Sequence, residues 1–250
     1  MPPLSGVLDR LLAQSAQLRR VVEAAGTTVA LDVSAPASAR AILVAALAVP
    51  GAGAGRPVLA VTATAREAED LVTELSDVMG EQQVALYPAW ETLPHERLSP
   101  RSDTVGQRLA VLRRLTHPDD AVPGRGRPAV VVTPVRAVLQ PQPAGLGDVD
   151  PVTLRAGSVV ELDDLVRALA DAGYHRVDLV ERRGEFTVRG GLVDVFPPTA
   201  PHPRRVELWG EEVAEIREFA VADQRSLGVV EEVYAPACRE LLLTPEARGR

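Results

Sequence analysis

Glu91, His95, Glu96 and Arg97 fall within seven residues, in the string ETLPHERLSP (91–100), and carry the groups that acid/base catalysis or metal ligation requires. A zinc site of the His-Glu-x-x-His kind needs its second histidine four residues after the first, so that both project from one helix face. Position 99 is serine. The other histidines, His117, His175 and His202, stand beside prolines or far along the chain. No metal site is expected. No nucleophile or phosphate loop accompanies the cluster, and Pro94 and Pro100 stiffen it, so the residues read as a rigid surface loop.

Phosphate chemistry would belong to the turn between residues 28 and 48. There a nucleotide-binding α/β protein carries G-x-x-x-x-G-K-[ST], whose backbone N–H groups and lysine hold phosphates while the hydroxyl holds magnesium. This chain has Ser34-Ala-Pro-Ala-Ser-Ala39-Arg40-Ala41. Both glycines are lost, the lysine is arginine, the hydroxyl is alanine, and Pro36 removes a donor. No nucleotide hydrolysis and no cofactor are expected. The run Gly51–Gly55 follows a helix and Pro50, and reads as a loop. The lone cysteine, Cys238, has no partner for an internal disulfide and reads as a small buried residue.

Composition narrows the classes further. The chain has no lysine and no asparagine, so all 27 basic residues are arginine, which excludes lysine bases and Schiff bases. A net charge of −7 argues against a chain-wide electrostatic grip on nucleic acid. With 46% hydrophobic residues it can bury a core, and no apolar run reaches the ~18 residues of a membrane span. No secretory signal pattern opens the sequence, so a cytoplasmic protein is expected.

The elements that must position these residues follow from periodicity. Apolar residues from Leu4 to Val22 predict an amphipathic helix within residues 1–26. Thr28–Val33, Pro57–Ala63, Val84–Tyr87 and Ala129–Thr133 read as strands. Ala37–Ala48, Arg66–Met79 and Thr104–Leu115 read as helices between them. Such alternation predicts an α/β domain with a mostly parallel sheet over 27–139. Pro- and Gly-rich residues 140–147 mark a boundary. A helix at Leu162–Ala172 follows, then strands at Arg176–Arg182, Glu185–Arg189, Leu192–Phe196, Arg205–Leu208 and Val213–Phe219. These predict a small α+β domain with an antiparallel sheet over 140–226. Residues 227–250 are expected to return to the first domain.

Two strings carry a family likeness. Tyr87–Leu115, YPAWETLPHERLSPRSDTVGQRLAVLRRL, and Gly173–Ser226, which contains GYHRV, GEFTVRGGLVDVFP and QRS, resemble the bacterial transcription-repair coupling factors. The likeness covers residues 27–235. It implies an N-terminal module similar to the excision-repair subunit UvrB: a degenerate helicase-like, P-loop-type domain with a small inserted domain that binds UvrA. It also implies a non-catalytic adaptor whose DNA translocase motor and RNA polymerase contacts lie in other regions of the full-length protein. An intramolecular contact with the C-terminal part would cover the UvrA-binding surface. The alternative is an ATP-dependent helicase or UvrB-type repair fragment.

The resemblance maps the partner-binding residues to Arg176 and Arg189, with Thr187 standing where UvrB has a further arginine. Period-2 alternation agrees in part: it puts Glu185, Thr187 and Arg189 on one face against Phe186 and Val188, and groups Arg176, Asp178, Val180 and Arg182. The expected binding face is therefore Arg176, Arg182, Glu185, Thr187 and Arg189. Gly184 and Gly190-Gly191 read as turns or bulges, Glu211-Glu212 as a turn, and Trp209 and Phe196 as core or staple residues.

Overall fold

The computed structural model describes residues 5–49, 56–92, 99–120, 122 and 124–240. Its helices are α1 (Ser5–Gln14), α2 (Ala16–Thr27), α3 (Arg40–Ala48), α4 (Ala65–Met79), α5 (Ser102–Thr116), α6 (Val135–Leu139) and α7 (Leu162–Asp171). Its strands are β1 (Val58–Thr62), β2 (Val84–Leu86), β3 (Val130–Pro134), β4 (Val152–Arg155), β5 (His175–Arg176) and β6 (Glu185–Arg189). They continue with β7 (Leu192–Val195), β8 (Arg204–Trp209), β9 (Glu212–Phe219), β10 (Ser226–Val229) and β11 (Glu232–Ala235). Contacts divide the chain into two units, one of Met1–Ala89 with Val111–Pro141, the other of Trp90–Ala110 with Gln142–Arg250.

In the first unit the sheet runs β1-β3-β2, all parallel. Central β3 is valine-rich and buried along its whole length, as a parallel strand covered on both faces must be. On one face Val130, Val132 and Val84 meet Leu8, Leu18, Ala45, Leu71 and Leu75 from α1 to α4. On the other, Ala85, Tyr87 and Val131 pack with Val111 of α5 and Ala137 of α6. Helix α4 starts on Thr64, whose hydroxyl accepts from Glu67 N, while Glu67 Oε2 accepts from N of Ala63, the residue before the cap.

Two expectations fail here. The N-terminal helix is broken in two, because the Ser15 hydroxyl accepts from Leu18 N and restarts the helix as α2. TVALDV (28–33) is not a strand: Val29, Leu31 and Val33 are exposed, and no strand pairs with them among the described residues. Alternating apolar residues favour extended backbone, but a strand also requires an edge to pair with.

The second unit holds a six-stranded sheet of order β10-β9-β8-β7-β6-β5, antiparallel except for the β5–β6 pair, and a separate β4–β11 pair. Phe186, Val193, Val206 and Ile216 are buried on the sheet; burial of such side chains contributes roughly 1.5–3 kcal/mol each. Three strands, β4, β10 and β11, are additional to those predicted. Their consequence is topological: Glu232–Ala235 pairs with Val152–Arg155, so the described part of 227–250 stays with this unit instead of returning to the first. The predicted strand Arg176–Arg182 shrinks to two residues. Beyond it Val180 is buried while Leu179 is exposed, the reverse of the predicted alternation, because the chain turns there to cover Phe196 and Phe219. Trp209, expected as a core or staple residue, is not in the core: it is 75% exposed at the end of β8, whereas Phe196 is buried.

Gly106 in α5 makes a testable contact. A Cβ built there would lie 2.4 Å from Pro198 Cβ and Cγ. Gly to Ala in an exposed helix interior stabilises by roughly 1 kcal/mol. At this position the close approach reverses the sign: Gly106→Ala is expected to destabilise the second unit by about 1–3 kcal/mol, measured by urea unfolding.

Candidate functional site

Strand pairing assembles one face of the second unit. Thr187 lies opposite Asp194, Asp194 opposite Arg205, and Arg205 opposite Arg217. In the next row outward, Arg189, Leu192, Glu207 and Glu215 face one another across the same four strands. Residues directly opposite, and those two apart, share a face. The expected residues Glu185, Thr187 and Arg189 thus lie together, as alternation predicts. Arg176 does not join them: it pairs in register with Phe186, which puts it on the other side at the sheet edge. Arg182 is exposed on the turn after β5, outside any strand.

Burial separates these residues further. Thr187 is buried, with its hydroxyl directed to Asp178 O at 3.5 Å, so a partner cannot reach it. Glu185 Oε2 accepts from Glu181 N at 2.9 Å and Arg182 N at 2.8 Å, and so fastens the turn. Arg189 remains outward, its side chain 49% exposed, and donates from Nη2 to Asp194 Oδ2 at 2.8 Å. Asp194 is 1% exposed and also takes a two-pronged contact from Arg205, Nε to Oδ1 at 2.7 Å and Nη2 to Oδ2 at 2.8 Å. Those hydrogen bonds raise the Arg205 pKa above its ordinary value. The Arg205 guanidinium also lies 4.7 Å from the centre of the Phe219 ring. Beside it a hollow of about 430 Å³ is lined by Leu192 and Leu208 with Arg205, Arg217, Glu207 and Glu215.

Asp194 and Arg205 were not among the predicted site residues. The signal was present: Gly190-Gly191 reads as a two-residue hairpin turn, and that register alone sets Asp194 against Thr187 beside Arg189.

The other singled-out residues take different places. In the degenerate loop Ser34 and Arg40 are exposed, Ala39 is half-buried and Ala41 is buried. The hollow beside Arg40 is lined by Glu67, Asp70 and Glu74 of α4. Of the opening string, residues 93–98, with His95, Glu96 and Arg97, lie outside the described residues. Glu91 is described, and it serves the start of α5. Its carboxylate accepts from the Thr104 hydroxyl and from Arg101 N at 3.4 Å, a negative charge where the helix dipole favours one. Trp90 Nε1 donates to Glu240 Oε1 at 3.1 Å, and Arg108, fully buried, donates to the same oxygen through Nε. The Arg108 guanidinium lies 5.0 Å from the Trp90 ring centre. Among the described residues no group of His, Cys, Asp and Glu could hold a metal ion, and no helix is long and apolar enough to cross a membrane.

Cys238 is buried, and burial pushes its thiol from an ordinary 9.0 up to about 12. Its backbone N donates to Ala172 O at 2.8 Å. Nearby, the Tyr174 hydroxyl donates to Pro236 O at 2.9 Å, and burial raises the tyrosine pKa as well. A folded pKa above the unfolded one means that the neutral thiol stabilises the fold fully below pH 9, and that this is lost as pH rises toward 12. The melting temperature is therefore expected to fall above pH 9, less so in Cys238→Ala. The native thiol should resist a disulfide reagent at pH 8 until the protein unfolds.

Comparison with known proteins identifies the segment that carries this sheet. Residues 152–239, from β4 through β11, match the UvrB interaction domain family. The chain is 50% identical over 250 residues to transcription-repair-coupling factors of Mycobacterium bovis and Mycobacterium tuberculosis, covering 99% of this chain and 20% of each relative. The Bacillus subtilis factor is 31% identical over 214 residues, covering 85% of this chain and 17% of that protein. The chain thus spans about one fifth of the length of the curated relatives it matches. It belongs to the transcription-repair-coupling factor family and contains that family's UvrB-like module with its UvrB interaction domain.

Proposed function

We propose that this chain is a non-catalytic adaptor module of transcription-coupled nucleotide-excision repair, and that it recruits UvrA through the six-stranded sheet of its second unit. The observation that carries this reading is Arg189, held outward on a buried carboxylate within the segment that matches the UvrB interaction domain. Arginine at a sheet surface suits an interface, because its planar fork makes paired contacts with carboxylates. Arg176 at the β5 edge and Arg182 on the following turn are proposed as further contacts, outside the face that carries Arg189. In the full-length protein an ATP-dependent translocase and the contacts with DNA and RNA polymerase would lie in regions outside this chain. A further part of that protein would cover the docking surface by an intramolecular contact. The experiment is co-elution of the chain with purified UvrA on a sizing column: a shifted complex supports the reading, and separate elution at low salt contradicts it.

The helicase-like first unit is proposed to have lost nucleotide binding. Three carboxylates beside Arg40 repel phosphate, and the turn before α3 has neither glycine nor lysine to cradle it. Magnesium-ATP is expected to leave the melting temperature unchanged. A rise that saturates with nucleotide would favour the alternative, an ATP-dependent helicase or UvrB-type fragment.

A further inference from the structure

We propose that Asp194 is a positioning residue of the docking face and that Arg205 is a second arginine through which the face contacts UvrA. The inference rests on the UvrA-recruitment reading above. Two guanidinium groups share one buried carboxylate, so the trio keeps a net positive charge. Asp194 is shielded from solvent beneath them, while Arg189 is 49% and Arg205 27% exposed. Each arginine uses only part of its five-donor fork on Asp194, and the remaining N–H groups stay available in fixed planes.

Several contacts hold Arg205 still. Asp194 takes two of its donors, Phe219 lies beneath its guanidinium, and Gln224 Oε1 accepts from Nη2 at 3.5 Å. Gln224 itself has a left-handed backbone (φ 60°), and its amide donates to Val221 O at 3.1 Å. A preorganised guanidinium loses little conformational freedom when a partner arrives, which favours affinity. The hollow beside Arg205 brings Arg217, Glu207 and Glu215 around half-buried Leu192, so arginines and carboxylates alternate there, and the positive charge sits on the Arg189–Asp194–Arg205 trio itself. The partner chemistry it fits is a mixed-charge patch on the UvrA surface: a carboxylate for Arg189 and Arg205, a basic group for Glu207 and Glu215, and an apolar side chain at Leu192.

The test is the affinity of the chain for purified UvrA across a salt series, for the parent and for Arg205→Ala, Arg205→Lys, Asp194→Asn, Arg189→Ala and the Asp194→Asn/Arg189→Ala double variant. Circular dichroism and melting accompany each. Arg205→Ala should lose at least about tenfold in affinity and weaken the salt dependence. Arg205→Lys should fail to restore it, because an ammonium cannot hold Asp194 with two parallel bonds and still present a fixed donor. Asp194→Asn should lose affinity while remaining folded, and the double variant should lose less than the sum of the singles, as coupled residues do. If Asp194→Asn does not fold, the two Arg205 variants decide the matter. A parent that does not bind UvrA overturns both the recruitment reading and this inference. A parent that binds, with Arg205→Ala unaffected or with the Asp194 and Arg189 losses simply adding, overturns this inference alone.

Discussion

Arg108→Ala is expected to destabilise the second unit by about 3–5 kcal/mol, the usual effect of removing one partner from a buried ion pair. Arg108 has no exposed surface, and its guanidinium meets the almost fully buried Glu240 carboxylate, which also receives the Trp90 indole N–H. Truncation removes the charge that lets this carboxylate stay buried, and leaves a cavity against Trp90. At this chain length a melting temperature lower by on the order of 10 °C would follow. Replacing both partners together, Arg108→Met with Glu240→Leu, should recover most of the loss, because the desolvation cost of both charges disappears with them. Tryptophan fluorescence is a direct probe, since Trp90 reports on this brace. A single variant that melts like the parent would show that the pair contributes no stability.

Arg189→Ala is expected to weaken UvrA binding by at least about thirtyfold, the ~2 kcal/mol of an interface hot spot. The variant should fold normally, because Asp194 keeps its two-pronged contact with Arg205 when Arg189 is gone. Arg189→Glu should weaken binding further, through repulsion of a partner carboxylate. Thr187→Ala serves as the contrast. Its side chain is buried, so it should alter stability slightly and affinity hardly at all. An Arg189→Ala variant that competes for UvrA as well as the parent would remove this arginine from the interface.

Much of the architecture was legible in the sequence. The strand and helix alternation before residue 139 and the short strands after 185 gave the α/β class, the parallel sheet and the antiparallel ladder. What periodicity could not supply was pairing. TVALDV has a strand's composition but no partner, while Val152–Arg155 and Glu232–Ala235, far apart in sequence, become strands by finding each other. The site was legible to a similar depth. Alternation correctly grouped Glu185, Thr187 and Arg189, but it could not show that covering turns bury Thr187, or that β5 ends after Arg176 and leaves that arginine on Phe186's side.

The string ETLPHERLSP gives the same lesson. Its described carboxylate, Glu91, is spent on the start of α5, and Trp90 beside it completes the brace with Arg108 and Glu240. The residue types suited catalysis or metal binding, but the partners of Trp90 and Glu91 make that end of the string structural.

Calorimetric titration of purified UvrA with the unmodified chain, at low and at moderate salt, decides whether this module recruits UvrA. Saturable binding is expected at both, weaker at the higher salt because charged contacts are screened. No detectable binding at either salt, by a chain that melts cooperatively, would contradict recruitment.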